Sequence, residues 1–217
     1  MKACIFDLDG VLVDTAKYHF IAWKRLANEL GVDFTEHDNE QLKGLSRDAS
    51  LDYILVKASI IATTSEREVW KERKNNWYLD LVNQMPEDEV LPNCKELLAE
   101  LKKHNIKIAL GSASKNAKLI LDRVNITQYF DAIIDGTKTS KSKPDPEVFL
   151  LGAKEIACQP EECIVFEDAI SGLKAAKSGG FFAIGIGEEE VLTEADIVFP
   201  NLLTLNYEQL LKIFRGE

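Results

Sequence analysis

A chain of 217 residues is long enough for one large domain or for a core that carries a smaller insert. Apolar residues make up 46% and charged residues 29%, the balance of an ordinary globular protein, and no apolar run is long enough to span a bilayer. The formal charge of -10 excludes a broad nucleic-acid surface, which needs a basic face. An acidic protein that binds an anion must supply local cations, either a metal or a few placed Lys and Arg side chains. Cys4, Cys94, Cys158 and Cys163 lack zinc-type spacing and read as free thiols of a reducing compartment. With no signal peptide ahead of the first strand, the expected location is the cytoplasm.

The segment KACIFDLDGVLVDT, residues 2–15, opens with Ala3, Cys4, Ile5 and Phe6, an apolar run suited to a buried parallel strand. Asp7 and Asp9 follow, and Gly10 frees the chain to turn. Positions two apart on an extended segment share a side, so both carboxylates arrive together at the mouth of the strand. Such a pair repels itself unless a cation or a shared proton relieves it, which points to a divalent metal or a protonated partner.

Tyr18, Ala22, Trp23, Leu26, Ala27 and Leu30 then recur at helical spacing, with Gly31 as the stop. A second helix is predicted after Ser46, capped by that serine and packing through Leu51, Ile54, Leu55 and Ala58. A third is predicted from about Ser65 to Val82, packing through Val69, Trp70, Trp77, Leu81 and Val82. No strand is predicted between residues 16 and 86. From Pro92 onward helices and apolar strands alternate, with strands at 106–112, 131–134, 163–168, 181–187 and 196–200. Repeated βα units specify a parallel, doubly wound sheet. Turning points near Asp14–Ala16 and Pro86–Val90 divide the chain into a core, residues 1–15 and 88–217, and a helical insert, residues 16–87.

Three further segments carry chemistry. GSASKNA, residues 111–117, places small residues before a helix start, where backbone N–H groups can face an anion and Ser112 and Ser114 add hydroxyls. SKSKPDPEVF, residues 140–149, sets Lys143 between loop and helix, where an ammonium can hold a phosphate and neutralise carboxylates. FEDAISGLKAA, residues 166–176, ends a buried strand in Glu167 and Asp168, oxygen ligands suited to Mg²⁺. Taken singly these are an ordinary strand–helix loop, a solvated lysine and a pair of acids at a helix N-terminus.

Together they point further. DLDGVLVDT resembles the first motif of the haloacid dehalogenase superfamily of phosphoryl-transfer enzymes, and the three later segments occur in that superfamily's order, each after a different strand. The resemblance implies a Rossmann-like α/β core, a doubly wound parallel sheet, with an inserted all-helical cap domain. It implies that Asp7 is the nucleophile that forms an aspartyl phosphate and that Asp9 is the general acid/base. By the same resemblance Mg²⁺ is the cofactor, held by Asp7, the Asp9 main-chain carbonyl, Asp168 and Glu167, while Ser112 and Lys143 grip the transferring group. The physical logic agrees, because phosphoryl transfer needs in-line positioning and cation stabilisation, and a carboxylate nucleophile divides it into two steps.

The insert resembles the four-helix cap of the subgroup that contains phosphoglycolate phosphatases and hexose phosphomutases. The strings DTAKYHFIAWKRLANELG (14–31), NEQLKGLSRDASL (39–51), ERKNNWY (72–78) and ALGSASKNA (109–117) are more similar to the phosphomutases. Carried over, Arg47 binds the phosphate distal to the reacting one, a task suited to its planar fork. Gly44, Leu45 and Ser46 shape that loop, and Lys43 meets the substrate beside it. His19 hydrogen-bonds Asp9 in one cap position, Lys74 pairs with His19, Thr15 sits at the hinge and Trp23 supports this group. Ala113, Ser114, Lys115 and Asn116 face the second phosphate or the sugar from the core side. Gly111, Ala169 and the stretch DGTKTSKS (135–142) depart from the family's pattern. The implied reaction moves a phosphoryl group between O1 and O6 of β-D-glucose through the bisphosphate, with cap closure excluding water. A sugar-phosphate or phosphoglycolate phosphatase is the alternative. The implied partner is a small sugar phosphate, with no nucleic acid and no membrane, acting on a monomer.

Overall fold

The computed structural model describes residues 1–217. Six strands form one parallel sheet in the order β3-β2-β1-β4-β5-β6: β1 (Ala3–Phe6), β2 (Lys107–Gly111), β3 (Ala132–Ile134), β4 (Cys163–Glu167), β5 (Phe182–Ile186) and β6 (Ile197–Phe199). The central strands read as continuous apolar runs because helices cover both faces. On one face Cys4, Phe6, Ile108 and Phe166 meet α5 (Cys94–Lys103), α6 (Ala117–Arg123) and α9 (Tyr207–Arg215). On the other, Ala3, Ile5, Ala109 and Val165 meet α7 (Glu147–Glu155) and α8 (Ile170–Ser178). Phe6 and Phe166 lie opposite each other in the register, and their rings stack with centroids 4.5 Å apart.

Between β1 and β2 the chain makes four α-helices: α1 (Ala16–Glu29), α2 (Glu36–Leu42), α3 (Arg47–Ala58) and α4 (Thr64–Val82). Trp23, Leu26, Phe34, Leu51 and Ile54 form a separate apolar centre among them. The two crossings between this helical layer and the sheet run side by side, with Val13 bridged to Val90 and the Asp14 N–H donating to the Glu89 carbonyl at 3.1 Å. Lys17 and Tyr18 of α1 reach Glu89 across the crossing, at 2.5 and 2.9 Å. No helix is long and apolar enough to cross a membrane, and all four cysteines are free.

Two helices of this layer depart from expectation. α2 is absent from the periodicity reading, because only Leu42 and Asp38 of its residues are buried. Its signal lies at the end rather than along a face: Thr35 and Asp38 form a reciprocal capping box, the Thr-x-x-Asp signature of a helix start. In α4 the buried residues are Lys74, Tyr78 and Val82, whereas Val69 is exposed. The reason is a polar interior: the Lys74 ammonium lies 4.6 Å from the Trp23 ring centre and 4.7 Å from that of Tyr78, so cation–π attraction offsets part of its burial. Ser46 caps α3 as expected, accepting from the Ala49 N–H at 3.3 Å.

Candidate active site

The sheet order reverses at β1, which has β2 on one side and β4 on the other, and such a reversal opens a crevice at the C-terminal strand ends. Phe6 is level with Leu110 and with Phe166, so Asp7, Ser112 and the pair Glu167–Asp168 leave the sheet at nearly the same height. Gly10 turns the next residues back at φ +78°, where a Cβ would run into the Asp168 carboxylate. The loop bearing Asp9 therefore rests directly on Asp168.

Lys143 is almost completely buried and donates to Asp7 Oδ1 and Glu167 Oε1, both at 2.5 Å. Burial by itself lowers an ammonium pKa, but the two carboxylates outweigh it and hold Lys143 above its ordinary value. Glu167 is fully buried, with its other oxygen accepting from the Ala169 N–H at 2.8 Å. Burial pushes its carboxyl up to about 7 against the pull of Lys143. Both Glu167 oxygens are thus engaged within the protein, one by Lys143 and one by the Ala169 N–H, and Glu167 orients Lys143. Asp7, Asp9 and Asp168 instead line the cleft wall.

Burial, followed by the Asp7 charge, raises Asp9 to about 6, and the Thr15 hydroxyl donates to Asp9 Oδ1. Asp168 is pushed well above the usual carboxylate range, first by burial and then by the Glu167 and Asp7 charges, and it has no ion-pair partner in the protein. No three His, Cys, Asp or Glu side chains form a ready-made metal cage. The oxygen-only, acidic donor set nonetheless fits a hard divalent cation that takes one or two carboxylates and completes its shell with substrate oxygens and water.

Opposite the carboxylates, the loop 111–117 is tied by its own serines. The Ser114 N–H donates to Ser112 Oγ at 3.1 Å and the Asn116 N–H to Ser114 Oγ at 3.2 Å. Those two N–H groups are therefore occupied, and the ones free to meet an anion are on Ala113 and Lys115.

The helical layer supplies the far wall. Arg47 opens α3 and donates from Nη2 to Asn75 Oδ1 at 2.7 Å, and the Asn116 amide donates to the same oxygen at 2.9 Å. Lys74 Nζ lies 2.9 Å from His19 Nδ1, and the His19 ring lies 4.2 Å from that of Tyr78. Burial, reinforced by the Lys74 and Arg47 charges, holds His19 well below the usual histidine range. A neutral His19 accepts from Lys74 at Nδ1, which assigns the ring proton to Nε2. Asp9 meets Thr15 rather than His19 in this arrangement. Lys43 pairs with Glu40 at 2.8 Å and lines the cleft, as do Leu45 and Ser46. Gly44, at φ +71°, is pressed onto the start of α8, where a Cβ would lie 2.5 Å from Ser171 Oγ.

One cleft of about 440 Å³ joins these groups, lined by Asp7, Asp9, Asp168 and Lys143 and also by Arg47, Lys115 and Asn116. Trp23 lines it, whereas Thr15 lies buried behind Asp9. Asn75 and the segment Thr139–Ser142 also line it, and nothing in their residue types or spacing marks them as ligands. Asn75 stood inside the string ERKNNWY next to Lys74. Thr139 stood in the stretch that departs from the family's pattern, and Ser140–Ser142 opened the string SKSKPDPEVF, in which only Lys143 has an assigned role.

The family model for haloacid dehalogenase-like hydrolases matches residues 4–186. The chain is 43% identical over 97% of its length to a β-phosphoglucomutase of Bacillus subtilis, covering 94% of that protein. It is 32% identical over 91% of its length to a phosphorylated carbohydrates phosphatase of Thermotoga maritima, covering 93% of it. A crystal structure of a β-phosphoglucomutase from Clostridium difficile superposes with a TM-score of 0.95 at 40% identity, over 100% of this chain and 98% of that one. The parallel sheet, the carboxylates at its C-terminal edge and this full-length likeness place the chain in the haloacid dehalogenase-like hydrolase family, within the group of the β-phosphoglucomutases.

Proposed function

We propose that the protein interconverts β-D-glucose 1-phosphate and β-D-glucose 6-phosphate through β-D-glucose 1,6-bisphosphate, as a phosphomutase. The observation that supports this reading is a single cleft lined by two sets of groups suited to an anion, Lys143 and Ser112 with Asp7, and Arg47, Lys115 and Asn116. A phosphatase requires only the first set. The greater identity to the mutase than to the carbohydrate phosphatase, 43% against 32%, supports the same choice.

In the forward half-reaction a sugar hydroxyl attacks the phosphorus of phospho-Asp7. The new O–P bond forms as the Asp7 O–P bond breaks, and Asp9 takes the hydroxyl proton. After the bisphosphate reorients, the Asp7 carboxylate attacks the other phosphorus and Asp9 returns the proton to the leaving sugar oxygen. A carboxyl raised to about 6 suits both duties near neutral pH. Lys143, fixed by Glu167, offsets charge beside the reacting carboxylate. Mg²⁺, when bound, would be held by Asp7, Asp168 and the Asp9 carbonyl and would neutralise the phosphoryl oxygens. Residues 16–87 act as a cap that turns about the paired crossings at Asp14–Ala16 and Pro86–Val90. Its closure excludes water from phospho-Asp7. Because one chain completes the cleft, the enzyme works as a monomer on a small sugar phosphate, in the cytoplasm.

The test is product analysis with each anomer of glucose 1-phosphate, Mg²⁺ and the 1,6-bisphosphate primer. Glucose 6-phosphate from the β anomer is expected. Inorganic phosphate as the dominant product would overturn the mutase assignment in favour of a phosphatase.

A further inference from the structure

Two lysines of the chain are buried, Lys74 and Lys143, and each lies over an aromatic ring. For Lys143 the ring is that of Phe149, fully buried near the start of α7, with its centre 4.8 Å from Nζ. In sequence Phe149 merely closes the string SKSKPDPEVF as one more apolar residue on a helix face.

The seat of that ring is made by a missing side chain. Ala109 and Gly111 are two apart on β2 and so share a sheet face, the one that α7 covers. A Cβ on Gly111 would lie 2.7 Å from Cδ1 and 2.9 Å from Cε1 of Phe149, closer than packed carbon atoms approach. Gly111 is among the positions that depart from the family's pattern, and the Phe149 ring fills the space it leaves. Phe181, of the same apolar cluster, meets Phe149 edge-on with centroids 6.2 Å apart.

An ammonium has three N–H donors and no acceptor. Two of those on Lys143 reach Asp7 Oδ1 and Glu167 Oε1, which leaves one for the cleft that Lys143 lines. A polar side chain at position 149 would compete for that donor. An aliphatic one would give the buried charge nothing in return for its lost water. A ring face attracts the ammonium without drawing it off the carboxylates.

We propose that Phe149, seated by Gly111, is a positioning residue for Lys143: its ring face holds the ammonium between Asp7 and Glu167 and keeps the third N–H for the phosphoryl group. This rests on the reading of Lys143 as the cation beside phosphoryl transfer at Asp7, and not on the choice between mutase and phosphatase.

Fluorine withdraws electron density from a ring face while changing its size little, so graded fluorination separates the attraction from packing. Phe149 is replaced by mono-, di- and trifluorophenylalanine in the full chain with Mg²⁺ present. Two quantities are read, the Kd for inorganic phosphate by calorimetry and the rate of phosphate release from acetyl phosphate. Both worsen in step with the number of fluorines, by about tenfold in the trifluoro protein. The same series at Phe181, buried beside Phe149 but under no cation, leaves both at wild type. Gly111→Ala pushes the ring off its seat, weakening phosphate binding about threefold in the native protein and adding no loss to the trifluoro variant. A flat response across the Phe149 series, or equal losses at Phe181, overturns the proposal, and an additive Gly111→Ala loss overturns the seat. Phosphate binding and release from acetyl phosphate are common to both readings of the function. Failure of the wild type to make glucose 6-phosphate would therefore count against the mutase reading alone.

Discussion

Replacing Lys143 by methionine keeps most of the side-chain volume and removes the one cation between Asp7 and Glu167. In the native protein its ammonium sits 2.5 Å from an oxygen of each, with Glu167 fully buried. Breaking a buried ion pair by removing one partner costs about 3–5 kcal/mol when the remaining charge stays ionised. Glu167 limits that cost by taking a proton. Its carboxyl is already raised from its ordinary value of 4.5 to about 7 by burial, and losing Lys143 raises it further. A group with a raised native pKa binds more protons folded than unfolded. Its contribution is complete below pH 4.5 and is lost as pH climbs through the native value. In wild type that loss ends near pH 7, whereas in Lys143→Met it continues upward, widening the deficit by at most about 1.4 kcal/mol per pH unit. At pH 8 the full deficit corresponds to a Tm lower by roughly 10 °C for a chain of this length, and at pH 6 to about half of that. Scanning calorimetry on metal-free protein at the two pH values provides the comparison. Equal Tm losses at pH 6 and pH 8 would refute the reasoning, since they would mean that Glu167 is not the group that absorbs the missing charge.

Arg47→Ala removes the fork proposed to hold the distal phosphate, which hydrolysis of a small donor does not need. Mutase kcat/KM falls about a hundredfold, from one or two charge-assisted bonds, while hydrolysis of acetyl phosphate falls far less; equal losses in the two assays contradict the clamp. Because burial holds Asp9 at about 6, the step in which it accepts a proton speeds up as pH rises through that value and levels off above it. Asp9→Asn abolishes this limb of the kcat/KM profile along with about 10²–10⁴ of the rate, and an unchanged limb would assign it to another group. Gly10→Ala forces a side chain into φ +78° and against Asp168, so Mg²⁺ affinity measured by metal titration drops by about tenfold or more. Wild-type affinity in that variant would mean that Asp168 takes no part in holding the metal.

The apolar run 3–6 and the alternation of apolar runs after Pro92 were enough to place the core strands, because a strand covered on both faces needs an uninterrupted apolar segment. The carboxylates, Lys143 and Ser112 were legible for a related reason. Each stands directly after a strand or before a helix, so chain order alone puts them at one edge of the sheet. The helical layer was less legible. α2 hides because few of its residues are buried, and α4 breaks the apolar rule by burying Lys74 between Tyr78, one turn on, and Trp23, which only the fold brings in from α1.

What the amino-acid sequence determined by itself was the chemistry: two acids after β1, a lysine before α7, two acids after β4, and the order that joins them. Tertiary structure decided how those groups divide their duties. Glu167 and Asp168 are adjacent in sequence, yet one is engaged by Lys143 and the Ala169 N–H and the other lines the cleft. Asn75, silent in the string that carries it, becomes the point where Arg47 and Asn116 meet. Residue type and spacing fix what a group can do, but the partner it finds across the fold depends on distances that no local pattern contains.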